Sequence, residues 1–487
     1  MINAMDMRGA GVSREQLIRM FLTDELPLSG LAQEKLEQLA HLPDLVGIAV
    51  LPDVHAKPDN PFPTGTVVAS QRRLYPSAIG QDIGCGMAVW HGRVKGNGLS
   101  MDQVRAIFHR MVEGVADGKP KRRQVAPQAL ERMLCTGAKW AVEEGLLREE
   151  ECVRIERRGQ FVSPEEAPRV RHAIPSDAWE GGLTRVRSIG GGNHFLELQY
   201  VEQILDSAAA EGASVREGDL ILWIHTGSGS LGKRLENYYT RFWDATDRGR
   251  RWRQRWRRLR HHMPHARVHR WRECWALIDG VGATEGLDAM SPQGQRYLAA
   301  HRAALNLAVV NRLLLAQVAK EALEASGIQH QFSLLVDVAH ESIQQERVQG
   351  TELWVHRNGA SRAVPPRSWN DPWGQGLGQW LPLPGSLGRP SYLAMTLPGV
   401  EQSFWAVNHG AGRVIEKPDA WRLLSEDEVR PFREWQGHRL FYAGSGDDLI
   451  EQIPSAFKDI TAVGRAVEAH GLAKLVARCQ PIASLKS

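Results

Sequence analysis

The segment Asp82-Ile83-Gly84-Cys85-Gly86-Met87 sets a carboxylate and a thiol three residues apart. Its glycines allow the backbone to turn both groups toward one point. His194 follows a run of three glycines (190–192), while His225 and His340 each stand at the end of an apolar, strand-like run. Carboxylate, thiolate and imidazole donors together suit borderline transition ions such as Mn²⁺, Zn²⁺ or Fe²⁺ rather than Ca²⁺. A thiolate can also bridge two ions. No C-x-x-C pair occurs, which argues against a structural zinc site. Taken singly, each residue has a plainer reading: a lone Cys is usually a small buried hydrophobe, and a lone His a hydrogen-bonded structural residue. Five candidates, three at strand or glycine-turn ends, point to a metal site.

Two other segments invite chemistry. Gly227-Ser228-Gly229-Ser230-Leu231-Gly232-Lys233 follows a strand and fits a phosphate-binding loop, except that Arg234 stands where a Ser or Thr would hold Mg²⁺. Leu334 to Asp337 would then be the matching acidic strand. This P-loop reading leaves the Asp82–Met87 and Gly190–Glu197 segments without a role. Residues 248–272 hold eleven Arg and no acid, interleaved with Trp252, Trp256 and Trp271 and with His261, His262, His265 and His269. Arg pairs with phosphate and stacks on bases, and Trp offers a stacking face, so the segment reads as a nucleic-acid contact. The spacing of Trp252, Trp256 and Leu259 also fits an ordinary packing stripe.

These side chains need elements to hold them. With 487 residues, the chain has room for two to four domains or one large one. A net charge of only +4 means that any basic footprint must be local. Five scattered cysteines do not make a disulfide framework and fit a reducing compartment. The opening residues have no apolar signal core, and no stretch approaches 18 uncharged apolar residues, so a soluble cytoplasmic protein with no membrane partner is expected. Apolar periodicity predicts helices over 13–41 (Ser13 as N-cap), 101–116, 127–148, 295–326 and about 459–478. Strands are expected at 46–51, 220–227 and 333–340, and residues 150–180 read as a surface excursion. Strands that stop at polar residues (Asp53 and His55, His225, Asp337 and His340) recur. The whole suggests a mixed α/β layout with no regular βαβ period.

Taken in order, PDVH (52–55), DIGCGM (82–87), GGGNHFLE (190–197), HTGSGSLG (225–232), DVAH (337–340), HRNGASRA (356–363), PGSLGRPSY (384–392), NHGAGR (408–413) and FKDI (457–460) resemble the RtcB family of RNA ligases. The resemblance implies an α+β fold. It implies one large catalytic domain over 1–487, with mixed sheets, surrounding helices and a central metal and nucleotide cleft; residues 242–280 would form a basic insertion within it. It implies a GTP- and Mn²⁺-dependent ligase that joins an RNA 3′-phosphate, or a 2′,3′-cyclic phosphate opened first, to a 5′-hydroxyl. His409 matches the residue that takes up GMP. Asp82, Cys85, His194, His225 and His340 match the ligands of two Mn²⁺ ions, with Cys85 shared. Asn193, Phe195, Glu197, Pro384, Gly385, Ser386, Leu387, Ser391, Gly410, Ala411, Gly412 and Lys486 match the guanylate pocket. Glu197 would accept the N1–H and N2–H donors of guanine. An accessory guanylylation factor is a further partner the resemblance allows.

The chain also departs from the family pattern. Gly229 replaces an Arg, Glu341 stands where an Asn normally follows the last metal histidine, and Phe457 replaces a common Tyr. Val414-Ile415-Glu416 takes the place of a Ser-Arg pair, and AKPDNPFPTG follows PDVH in place of a Gly-rich turn. The Glu341 charge, counted with the nucleotide site, is expected to weaken GTP binding unless a metal or Lys offsets it. An altered RNA preference is expected. The competing reading is a catalytically altered RNA-binding member of the same family.

Overall fold

Three strands that lead to the candidate ligands lie side by side. Gly86–Lys95 pairs antiparallel with Asp219–Thr226 on one side and with Phe332–Ala339 on the other. The register sets Gly86 opposite both Thr226 and Ala339. Cys85, His225 and His340 therefore emerge at one end of three neighbouring strands. All eight residues of Asp219–Thr226 are buried, which explains its unbroken apolar text: a strand covered on both faces has no reason to alternate.

The computed structural model describes residues 17–58, 60–117, 125–240, 255, 256, 259, 281–366, 378–433, 440–442 and 446–486. The larger sheet runs in the order Trp380–Leu383, Ser391–Thr396, Ala473–Leu485, Phe195–Ile204, Asp219–Thr226, Gly86–Lys95 and Phe332–Ala339. Leu440–Tyr442 adds in parallel to Ala473–Leu485. A second sheet has the order Ile18–Met20, Leu45–His55, Thr64–Ser70, Thr351–Asn358 and Glu341–Val348. The chain passes from the first sheet to the second through His340 alone. With helices packed around these two sheets, the fold is α+β, as expected.

The helix Pro292–Glu324 runs through the largest apolar cluster. Ser291 caps it by accepting the Gly294 N–H at 3.0 Å. By length and composition it could cross a membrane, a property the sequence reading missed. However, 83% of its apolar window is buried inside the protein. Its polar side chains are also engaged there: Asn306 accepts from Phe161 N–H, Asn311 accepts from Ser188 N–H, and Arg312 pairs with Asp337.

Several expected elements differ. The helix expected over 13–41 is a short strand, Ile18–Met20, followed by a loop and the helix Gly30–Leu39, capped by Ser29. Ser13 lies outside the described residues. The 127–148 helix breaks into Pro127–Thr136 and Ala138–Glu143 at Gly137, whose φ is +55°. Residues 150–180 are not a surface excursion. Short helices bury Cys152, Ile155, Phe161, Val170 and Trp179 in the main core. The last helix is shorter, Ile460–Ala469, and Ala473–Leu485 is a strand. Of the Arg/Trp segment, only Arg255, Trp256 and Leu259 are among the described residues, and Trp256 is exposed. The rest of 242–280 lies outside them.

Candidate metal centre and nucleotide cleft

Cys85 Sγ lies 3.1 Å from His194 Nε2 and 3.3 Å from His225 Nε2. His225 Nε2 is 3.2 Å from His340 Nε2, and Asp82 Oδ2 is 3.5 Å from His194 Nε2. The donors form two groups, Cys85–His225–His340 and Asp82–Cys85–His194, each with its ligand atoms within 4.8 Å of one another. Cys85 is the only member of both. The donors of either group could hold a metal ion.

The chemistry of the donors supports that fit. Burial lowers the pKa of His194, His225 and His340, so their rings are held neutral and offer lone pairs. Burial also raises the Asp82 carboxyl and lifts the Cys85 thiol well above its usual range. Asp82 Oδ2 is buried without a hydrogen-bond partner. Crowding such groups out of water is costly without a cation to share them. The surrounding residues fix each ligand's orientation. His194 Nδ1–H donates to Ile189 O at 2.9 Å, which reserves Nε2 for a metal. Asp117 in turn accepts from the N–H groups of Ile189 and Gly190.

Arg312 is buried in the helix Pro292–Glu324 and pairs with Asp337 at 2.6 Å. Its Nη1 donates to Gly84 O and Thr226 O, both at 2.9 Å. It thus ties the residue before Cys85 to the residue after His225. Asp337, one of the strand-end acids, serves this pair and stands outside both donor groups. It is therefore not free to act as the acid of a P-loop enzyme. The loop itself is also committed, because Gly229 N–H donates to Asp82 Oδ1 at 2.7 Å. Here the glycine loop cradles the Asp82 carboxylate in place of a phosphate.

His409 follows the strand Ala406–Asn408, which pairs with Ala360–Arg362. Its ring centroid is 4.8 Å from that of His340 and 6.4 Å from that of His225. Nδ1 contacts Asp53 Oδ2 at 2.7 Å and Gly359 O at 2.8 Å. Both partners only accept, so in the neutral ring Nδ1 carries the proton and Nε2 keeps the lone pair. Burial disfavours a charged ring, but the Asp53 hydrogen bond and charge, with Glu341 adding, carry the net shift upward. Gly412 makes this close approach possible: a Cβ there would sit 2.2 Å from Asp53 O.

Asp82, Cys85, His194, His225, His340 and His409 line a cavity of about 1100 Å³. Asn193, Phe195, Glu341, Pro384, Gly385, Ser386, Leu387, Gly410, Ala411, Gly412 and Lys486 line it as well. Lys486 Nζ sits 5.2 Å above the Phe195 ring and 3.4 Å from Gln452 Oε1. Glu197 and Ser391 are not in the cavity wall; they lie behind it. Gln199 Nε2 donates to Glu197 Oε1 and to Ser391 Oγ, and Ser391 Oγ accepts from Gly385 N–H. Ser484 Oγ–H donates to the other Glu197 oxygen. Burial raises the Glu197 carboxyl to about 7 and lowers the Lys486 ammonium to about 8.

Sequence reading assigned no role to Asp53, Asp117, Arg312, Arg413 or Gln452. Asp53 carried a signal, because it sits in the PDVH segment at a strand end. Arg413 closes the HGAGR segment; its guanidinium donates to Asn193 Oδ1 at 3.2 Å and lies over the Phe457 ring. The other three have no local signature.

Comparison with known proteins identifies the family. The family profile described as "tRNA-splicing ligase RtcB" matches residues 35–487. The chain is 28% identical to a "tRNA-splicing ligase RtcB" of Thermococcus kodakarensis, over 96% of this chain and 94% of that protein. It is 28% identical to the Aeropyrum pernix protein of the same description, over 95% and 94%. It is 30% identical to an "RNA-splicing ligase RtcB" of Mycobacterium bovis, over 92% and 99%. With the profile matched along nearly its full length, the chain belongs to the RtcB family.

Proposed function

We propose that the protein is an RNA ligase that uses GTP and Mn²⁺. It joins an RNA 3′-phosphate, or a 2′,3′-cyclic phosphate after opening, to a 5′-hydroxyl. The substrate class is cleaved tRNA or another structured RNA. Family membership supports RNA ligation, and the single observation that carries the nucleotide step is the geometry of His409. Its Nδ1–H is held by Asp53 and Gly359, and its ring stands beside the donor cluster. Nε2 is thereby presented as a nucleophile in one tautomer and one orientation.

The steps follow from that orientation. Nε2 forms a bond to the α-phosphorus of GTP as the bond to pyrophosphate breaks. Asp53 stabilises the positive charge that develops on the ring. The RNA 3′-phosphate then displaces His409 and takes GMP, and the 5′-hydroxyl displaces GMP to close the phosphodiester. Bound divalent cations supply charge neutralisation and a template for the phosphates. Asp82, Cys85, His194, His225 and His340 would hold them. Gly410 and Gly412 let backbone approach phosphate closely, and Lys486 over Phe195 is suited to the carbonyl edge of guanine.

The test is incubation with α-labelled GTP and Mn²⁺. Wild type takes up acid-labile label; His409→Ala takes up none while keeping its fold and metal. A metal-loaded wild type that binds RNA but takes no label would instead be the catalytically altered RNA-binding member.

A further inference from the structure

We propose that Glu341 is a positioning residue for His409 rather than a contact to nucleotide phosphate, an inference that rests on the ligase reading above. Its carboxylate is already spoken for. Gly80 N–H donates to Oε2 at 2.5 Å, and Gly359 N–H donates to Oε1 at 3.1 Å. Its backbone is engaged as well: Glu341 O accepts from Gly84 N–H at 2.8 Å, and Glu341 N–H donates to Cys85 O at 3.2 Å. One residue therefore grips the loop that carries Asp82 and Cys85 and the turn at Gly359.

The Gly359 peptide is the link to His409. Its N–H is held by Glu341, while its C=O accepts from His409 N–H at 3.2 Å and from Nδ1–H at 2.8 Å. Gly359 adopts a φ of +60°, and a Cβ there would meet the His409 ring at 3.1 Å. The turn thus packs directly on the ring, and a shift of the turn is a shift of the nucleophile. Gly80 is shaped to receive the carboxylate, since a Cβ at that position would lie 2.8 Å from Glu341 Cδ.

This role makes the carboxylate neutral to GTP affinity and important for reaction rate. Glu341→Gln keeps the length but turns an NH₂ toward one of the two N–H donors. In the full-length protein, the single-turnover rate of labelling by saturating α-labelled GTP and Mn²⁺ is expected to fall roughly 10- to 100-fold. GTP affinity and bound metal are expected to stay within about twofold of wild type. A changed GTP affinity with an unchanged saturated rate would overturn the proposal. Hydrogen exchange provides a readout independent of ligation. Peptides covering Gly80 and Gly359 are expected to be protected in wild type and to exchange faster in Glu341→Gln. If wild type takes no label but this exchange difference holds, the ligase reading fails and the Glu341 anchor stands. If Glu341→Gln does not fold, wild type decides: amides at Gly80 and Gly359 that exchange like exposed loops overturn the proposal.

Discussion

Asp53 and His409 are 356 positions apart in the chain, yet the Asp53 carboxylate meets His409 Nδ1 at 2.7 Å and its main-chain N–H at 3.3 Å. Asp53 is fully buried at the end of Leu45–His55. Lys458 steadies that strand end by donating to Pro52 O and Val54 O. The pair fixes both the tautomer and the direction of the ring.

Removing the partner should therefore cost rate rather than fold. Asp53→Asn can offer its amide oxygen or its NH₂ to Nδ1, so the tautomer is no longer enforced. The labelling rate is expected to fall on the order of 10²–10⁴-fold, with bound metal unchanged. Single-turnover labelling beside elemental analysis checks this; a rate within twofold of wild type would contradict it.

Cys85 is the only donor common to both ligand groups. Cys85→Ala should disturb both ligand groups together, whereas His340→Ala should spare the Asp82–His194 side. Manganese stabilises a chain that binds it only when folded, by about 2.7 kcal/mol at a hundred times the dissociation constant. Added Mn²⁺ is expected to raise the melting temperature of wild type and leave that of Cys85→Ala nearly unmoved. An equal rise in both would remove Cys85 from the centre.

Arg312 separates stability from function. Arg312→Met leaves Asp337 buried and unpaired, a loss of about 3–5 kcal/mol. Pairing it with Asp337→Leu should recover much of the stability, because an apolar pair replaces an ionic one. It should not recover metal loading, because Gly84 O and Thr226 O still lack their anchor. Denaturant midpoints and metal content of the single and double variants test this, and full metal binding in the double variant would contradict it.

Guanine recognition should depend on pH in both directions. Burial sets the Glu197 carboxyl at about 7 and the Lys486 ammonium at about 8. Below about 7, Glu197 takes up a proton, which disturbs the hydrogen bonds it accepts from Gln199 and Ser484 behind the pocket wall. Above about 8, Lys486 loses its charge. Guanosine, which has no phosphate to titrate, should bind best between those values. Glu197→Gln should flatten the acid limb and Lys486→Met the alkaline limb. Calorimetric titration across pH decides, and a flat wild-type profile would count against both roles.

Much of this was legible in the text of the chain, for identifiable reasons. The donors sit in short, distinctive strings, and the ends of buried strands announce themselves by apolar runs that stop at His225 and His340. What stayed hidden depends on distance. Nothing near Arg312 shows that it will meet Asp337, and its helix is nearly half alanine and leucine. Residues 150–180 looked like surface because Pro and Glu interrupt them, but the apolar side chains between those breaks pack into the core around the long helix. The first residues of Ala473–Leu485 continued a helical pattern in local terms and became part of a strand because two sheet neighbours claim it. The charge of Glu341 reads as a burden in the sequence, which cannot show that the Gly80 and Gly359 N–H groups meet it in the fold.

That strand has a consequence for how the molecule is made. Ala473–Leu485 is inserted between Ser391–Thr396 and Phe195–Ile204. As the ribosome extends the chain, the earlier segments must wait, with the Phe195–Ile204 edge bare and ready to pair with a stranger. Vectorial synthesis therefore leaves that edge without its neighbour until Ala473–Leu485 has been made.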